Sequence, residues 1–116
     1  MKVILIMEPD ASIRQAIRKI IESMGFCAVE CGSTDSAIEL MQNSLSPDLL
    51  ICEEKSSQLI SEMRKNEKLA NIPVIATSSY VGVKHIAALL KQGANAFISK
   101  PFRKDDLLEY VLRYID

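Results

Sequence analysis

Residues 93–102, GANAFISKPF, hold a helix stop, a strand and the approach to another helix within ten positions. Gly93 can adopt the left-handed backbone that ends a helix. Ala96 to Ser99 reads as a strand whose apolar residues run on without polar alternation, the pattern of a strand covered on both faces. Lys100 stands at its carboxyl end, and Pro101 marks the break before a last helix.

Working outward from that unit, the same grammar repeats. A helix from about Val83 to Gln92 precedes Gly93, and a final helix turns Leu107, Leu108, Val111, Leu112 and Ile115 inward. Pro73 opens a strand over Val74 to Thr77. Before it lies a shorter helix with Leu59, Ile60 and Met63 on one face, and Pro47 breaks the chain ahead of the strand Leu49 to Cys52. The first half reads alike: a strand from Val3 to Met7, then Ile13, Ala16, Ile17, Ile20, Ile21 and Met24 on one helical stripe ended by Gly25. Ser12 with Gln15 forms a capping-box pattern for that helix. A strand from Phe26 to Cys31 follows, and a helix from Ser33 to about Asn43 turns Ala37, Leu40 and Met41 inward. Five strands alternating with five helices on short connections predict one α/β domain, residues 1–116, with a parallel sheet between two helical layers.

Composition narrows the function classes. Fourteen Lys and Arg against fifteen Asp and Glu give a net charge of -1, scattered along the chain, which argues against binding nucleic acid or an anionic membrane by charge. No apolar run approaches the ~18 residues of a membrane span, and MKVILIMEPD reads as a strand rather than a signal peptide. Cys27, Cys31 and Cys52 lack metal-ligand spacing and sit in apolar runs, so buried thiols in a reducing cytoplasm are expected. A soluble, cytoplasmic protein is expected.

In a doubly wound sheet the site lies at the carboxyl ends of the strands. That rule selects Glu8, Pro9 and Asp10 after the first strand, Glu53 and Glu54 after the third, Ser78 and Ser79 after the fourth, and Lys100 after the fifth. Acids, a hydroxyl and a lysine on one rim could hold a divalent cation and handle phosphate. A glycine-rich phosphate loop is absent, since Gly occurs only at 25, 32, 82 and 93. His85 is the lone histidine and reads as an exposed helix residue, so no nucleophile–histidine set can be assembled.

The stretches VILIMEPDASIR, SPDLLICE, IPVIATSS and above all GANAFISKPF resemble the receiver domain of bacterial two-component response regulators, over essentially the whole chain. The resemblance implies a flavodoxin-like fold with strand order 2-1-3-4-5 and a place in phosphorelay signalling, where a histidine kinase passes phosphate to a strand-3 aspartate beside Mg²⁺. It places Glu53 at the acceptor position, Glu8 and Pro9 at the acidic pair, Ser78 at the strand-4 hydroxyl, Phe97 at the switch aromatic and Lys100 at the family's lysine. The family's M-P-x-x-x-G loop is missing after Glu53, and that segment is about five residues short of the family pattern.

These departures matter chemically. Proline offers no oxygen, and Mg²⁺ demands near-octahedral oxygen ligands, so only Glu8 and Glu53 remain as candidate ligands and weak Mg²⁺ binding at most is expected. Glu53 also carries its carboxylate one methylene too far for a reaction that depends on positioning. The reading is therefore a non-enzymatic pseudo-receiver that binds a signalling partner, a histidine kinase or output protein; the resemblance implies that it does so through the fourth and fifth helices and the strand between them. Val83, His85 and Arg103 lie on that face. Glu53 is expected to pair directly with Lys100, within reach of Ser78, and Glu54 to be solvated rim. A monomer or weak homodimer is expected. The alternative is a competent receiver that autocatalyses phosphotransfer with Mg²⁺, Asp10 substituting for a missing ligand; a flavin-type cofactor binder would rest on fold analogy alone.

Overall fold

The computed structural model describes residues 1–43, 45–80 and 82–115. In chain order the elements are β1 (Val3–Met7), α1 (Ala11–Ser23), β2 (Cys27–Cys31), α2 (Thr34–Gln42), β3 (Leu49–Glu53), a single 3-10 turn (Glu54–Ser56), α3 (Ser57–Arg64), β4 (Val74–Ser78), α4 (Val83–Gln92), β5 (Ala96–Ser99) and α5 (Lys104–Tyr114). All neighbouring strands are parallel, in the order β2-β1-β3-β4-β5. The flavodoxin-like doubly wound sandwich expected from the sequence is the fold observed.

Alternate residues of each buried strand feed two cores, because successive side chains leave opposite faces of a sheet. Leu5, Met7, Leu50, Cys52, Val74 and Ala76 pack with Ala37, Met41, Leu59, Ile60, Met63 and Leu89 beneath α2, α3 and α4. Ile4, Ile6, Leu49, Ile51, Ile75 and Ile98 pack with Ile17, Ile21, Leu107 and Val111 beneath α1 and α5. Both layers draw on the continuous apolar runs that identified the strands.

Local chemistry sets the ends. The first helix is capped by Asp10, whose Oδ1 accepts from Ser12 N at 2.9 Å and Ile13 N at 3.1 Å, rather than by the expected Ser12–Gln15 box. An aspartate one residue ahead of the helix reaches the free N–H groups of the first turn, which Ser12, already inside the helix, cannot do. Gly93 ends α4 at φ 120°, with Arg64 Cγ only 2.8 Å from where a Cβ would lie. Leu112 is 60% exposed and so leaves the core stripe assigned to it, while Leu107, Val111 and Ile115 are buried. The Lys100–Pro101 peptide is cis.

Candidate functional site

The carboxyl ends of β1, β3, β4 and β5 bring Glu8, Glu53, Ser78 and Lys100 to one rim. Glu8, Glu53 and Ser78 are buried there, an unusual density of polar groups in a core of this size. Pro9 and Asp10 lie exposed beside them.

Lys100 Nζ donates to Glu8 Oε1 at 2.5 Å, an ion pair in which the carboxylate is almost fully shielded from water. The other oxygen, Oε2, accepts from Asp10 N at 2.9 Å. Both carboxylate oxygens of Glu8 are thus engaged. Its main chain is fixed as well: Glu8 N donates to Cys31 O at 3.1 Å and Arg14 Nη1 donates to Glu8 O at 2.7 Å. Arg14 Nε in turn meets Glu30 Oε1 at 3.1 Å, and Arg18 Nη1 meets Glu30 Oε2 at 2.5 Å. The two guanidiniums hold the Glu30 carboxyl below its ordinary range, Arg18 contributing most. Gly32 leaves room for this arrangement, since a Cβ there would lie 3.2 Å from Arg14 Nη1.

Glu53 behaves differently from expectation. Among the described residues no ion pair joins it to Lys100, whose ammonium is committed to Glu8. Its carboxylate instead accepts from Lys55 N at 3.0 Å, capping the 3-10 turn that follows β3. The extra methylene of glutamate, together with the missing loop, lets the side chain fold back onto its own chain. Burial pushes the Glu53 carboxyl up; the Lys55 N–H and the Lys100 charge oppose that, and Glu8 and Glu54 add to it. Ser78 is turned toward its own loop as well: its Oγ accepts from Tyr80 N at 2.9 Å and donates to Tyr80 O at 3.2 Å.

The remaining candidates fall in three places. Asp10 spends its carboxylate on the end of α1 and so is no member of the buried acidic pocket. Val83 and Arg103 are exposed, Arg103 lying 3.7 Å from Asp106, and Phe97 is half-buried against the core under α2, α3 and α4. His85 and Glu54, read as exposed surface and solvated rim, instead contact one another through Nε2 and Oε2 and are both half-buried. No sequence pattern links residues 31 positions apart; only the shared rim of β3 and β4, adjacent strands, brings them together.

The donor set does not fit Mg²⁺. Glu8 is already neutralised by an ammonium, Pro9 has no side-chain oxygen, and the Glu53 carboxylate is turned to a backbone N–H. Among the described residues no three His, Cys, Asp or Glu side chains converge as a metal site. The thiols offer no substitute: Cys31 and Cys52 are buried and Cys27 partly so, with burial pushing the Cys31 thiol up to about 11.

Five parallel strands in this order, with acids, a hydroxyl and a lysine on the carboxyl rim, define a flavodoxin-like fold. Residues 4–112 match the family model described as the response regulator receiver domain, and the chain belongs to that family. It is 29% identical over 116 residues to nodulation protein W of Bradyrhizobium diazoefficiens, covering 95% of this chain and 49% of that protein. It is 28% identical over 110 residues to the phosphate regulon transcriptional regulatory protein PhoB of Escherichia coli, covering 90% of this chain and 48% of that protein. The chain thus spans about half the length of these two relatives. Among solved structures, a response regulator from Chloroflexus aurantiacus superposes with a TM-score of 0.93 at 20% identity, covering 98% of this chain and 97% of that one. The receiver domain of a Pseudomonas aeruginosa sensor histidine kinase, with magnesium coordinated in its active-site cleft, superposes at 0.89 and 19% identity over 98% of this chain and 97% of that one. Among the described residues no helix is long and apolar enough to cross a membrane.

Proposed function

We propose that this receiver domain works as a phosphorylation-independent protein-interaction module in two-component signalling, with no catalysis of its own. The observation that carries the reading is the Lys100–Glu8 ion pair, 2.5 Å long and shielded from water. It places a fixed positive charge against the strand-1 carboxylate, the position at which the family resemblance puts a cation. A buried charge matched in this way needs no metal to neutralise it.

The acceptor end of the pocket supports the same reading. Glu53 is bound to the Lys55 N–H and lacks a neighbouring acid at Pro9, so a phosphoryl donor meets neither a poised aspartate nor a metal that would align it. With the chemistry gone, what remains is a rigid fold and its surface. The α4–β5–α5 face, where Val83 and Arg103 are exposed, is the part proposed to meet a histidine kinase or an output protein.

Titration with Mg²⁺, followed through the backbone amide resonances of Glu8, Glu53 and Lys100, tests the reading. No saturable shift is expected at millimolar concentration. Saturable shifts at all three residues would restore the competent-receiver alternative.

A further inference from the structure

α4 is the helix with the least purchase on the core. Only Leu89 of its residues is buried, whereas α1, α2, α3 and α5 each bury two or more. Its N-cap is Gly82, which supplies no side-chain hydrogen bond. The two ends are tied down in different ways. At the carboxyl end Arg64 donates through Nε at 3.1 Å and Nη2 at 2.8 Å to Gly93 O. At the amino end the tie is His85.

Nε2 of His85 is buried in contact with Glu54 Oε2 but makes no hydrogen bond in this arrangement, and no other group among the described residues satisfies it. The imidazole also stands edge-on to Tyr80, with ring centroids 5.0 Å apart and planes at 79°. An unprotonated imidazole nitrogen facing a carboxylate oxygen is lone pair against lone pair, so the contact needs a proton on Nε2. When the ring carries both its protons, the contact joins two opposite charges, and Coulomb attraction is added to the bond that a neutral ring could already donate to the carboxylate. The other charged groups around the pair are few. Lys55 is exposed on the same turn as Glu54, Glu53 is bound to the Lys55 N–H, and Lys84 is exposed on α4 itself. On α3, Glu62 is exposed and Arg64 is committed to Gly93 O, Ala70 O and Ile72 O. Glu54 is therefore the charge that His85 meets.

We propose that Glu54 and His85 form a proton-operated clasp: with His85 protonated the first turns of α4 are pinned to the turn after β3, and on loss of that proton this end of α4 loosens. Imidazole is the side chain whose charge changes in the physiological pH range. The clasp rests on these contacts alone. Its consequence, a docking face whose order follows pH, rests on the proposed function.

Amide hydrogen exchange read by NMR, with protection factors corrected for the intrinsic rate at each pH, tests it between about pH 5.5 and about pH 8. In the wild-type chain, protection at residues 86–89 is expected to fall about three- to fivefold as pH rises, while α5 stays constant. Glu54→Gln and His85→Gln are expected to be flat across the range, near the wild-type high-pH value. Constant wild-type protection in α4 while the His85 ring resonances titrate would overturn the clasp, as would a Glu54→Gln profile that follows the wild type. A pH-dependent α4 in a chain that nonetheless accepts a phosphoryl group would uphold the clasp and overturn only the reading under Proposed function.

Discussion

Lys100 Nζ lies 2.5 Å from Glu8 Oε1, joining the end of β5 to the end of β1 across the two strands between them. Glu8 is the more deeply buried of the two acids and has both oxygens engaged, one by Lys100 and one by Asp10 N, while Glu53 accepts from Lys55 N. Each acid accepts a backbone N–H two residues on, and the lysine goes to the more deeply buried of the two. The pairing fixes the pocket with the protein's own charges.

Removing the lysine strands a buried carboxylate. Lys100→Met is expected to destabilise the fold by about 2–4 kcal/mol at neutral pH, somewhat below the usual cost of breaking a fully buried pair because the lysine is partly exposed. The double variant Lys100→Met with Glu8→Gln is expected to recover more than half of that loss. Urea unfolding of the three variants and the double-mutant cycle check it.

Glu53 gives a pH signature of opposite sign to an ordinary salt-bridged acid. Its folded carboxyl is pushed up by burial, so between the unfolded value near ~4.3 and the raised value the folded state binds more protons than the unfolded one. Its contribution to stability therefore declines as pH rises through that window. Glu53→Gln, which keeps an oxygen for the Lys55 N–H, is expected to be more stable than the wild type at neutral pH, with the difference shrinking toward pH ~4. Equal unfolding midpoints at both pH values would contradict this.

Arg64 staples α3 to two segments at once, donating to Ala70 O at 2.9 Å, Ile72 O at 2.7 Å, Gly93 O and Asn95 Oδ1. A lysine cannot reproduce that fork. Arg64→Lys is expected to cost about 1–3 kcal/mol by leaving carbonyls unsatisfied, measured by thermal or urea unfolding.

Restoring an acid at position 9 should restore affinity for a cation. Pro9→Asp adds one carboxylate beside Glu8, and a charge near the ion at protein-surface dielectric is worth at least ~1.4 kcal/mol, so Mg²⁺ affinity is expected to rise about tenfold or more. Amide shift titrations of the variant and the wild type compare the two directly.

Much of the fold was legible because continuous apolar runs and glycine or proline punctuation are local signals. The helix read from about Val83 to Gln92, closed by Gly93, and the strand Ala96–Ser99 have the bounds expected for them. The rim was legible too, since Glu8, Glu53, Ser78 and Lys100 each follow or end a strand. What could not be read was the choice of partner among them. Whether Lys100 takes Glu8 or Glu53 depends on how each side chain is turned at its strand end, and for Glu53 that is set by the turn at Glu54–Ser56, whose Lys55 N–H it caps. His85 failed for a related reason: a histidine beside Ile86 and Ala87 gives no hint that Glu54 waits at the end of another strand. Leu112, one residue past Val111, shows how a stripe drawn on a helical wheel runs wider than the core it covers.

The central claim is that this pocket holds its own charges and takes no phosphoryl group. Intact-protein mass spectrometry after incubation with acetyl phosphate and Mg²⁺ tests it most directly. The unmodified mass alone is expected for the wild-type chain. A stoichiometric phosphoryl adduct on the wild type, lost in Glu53→Gln, would contradict it.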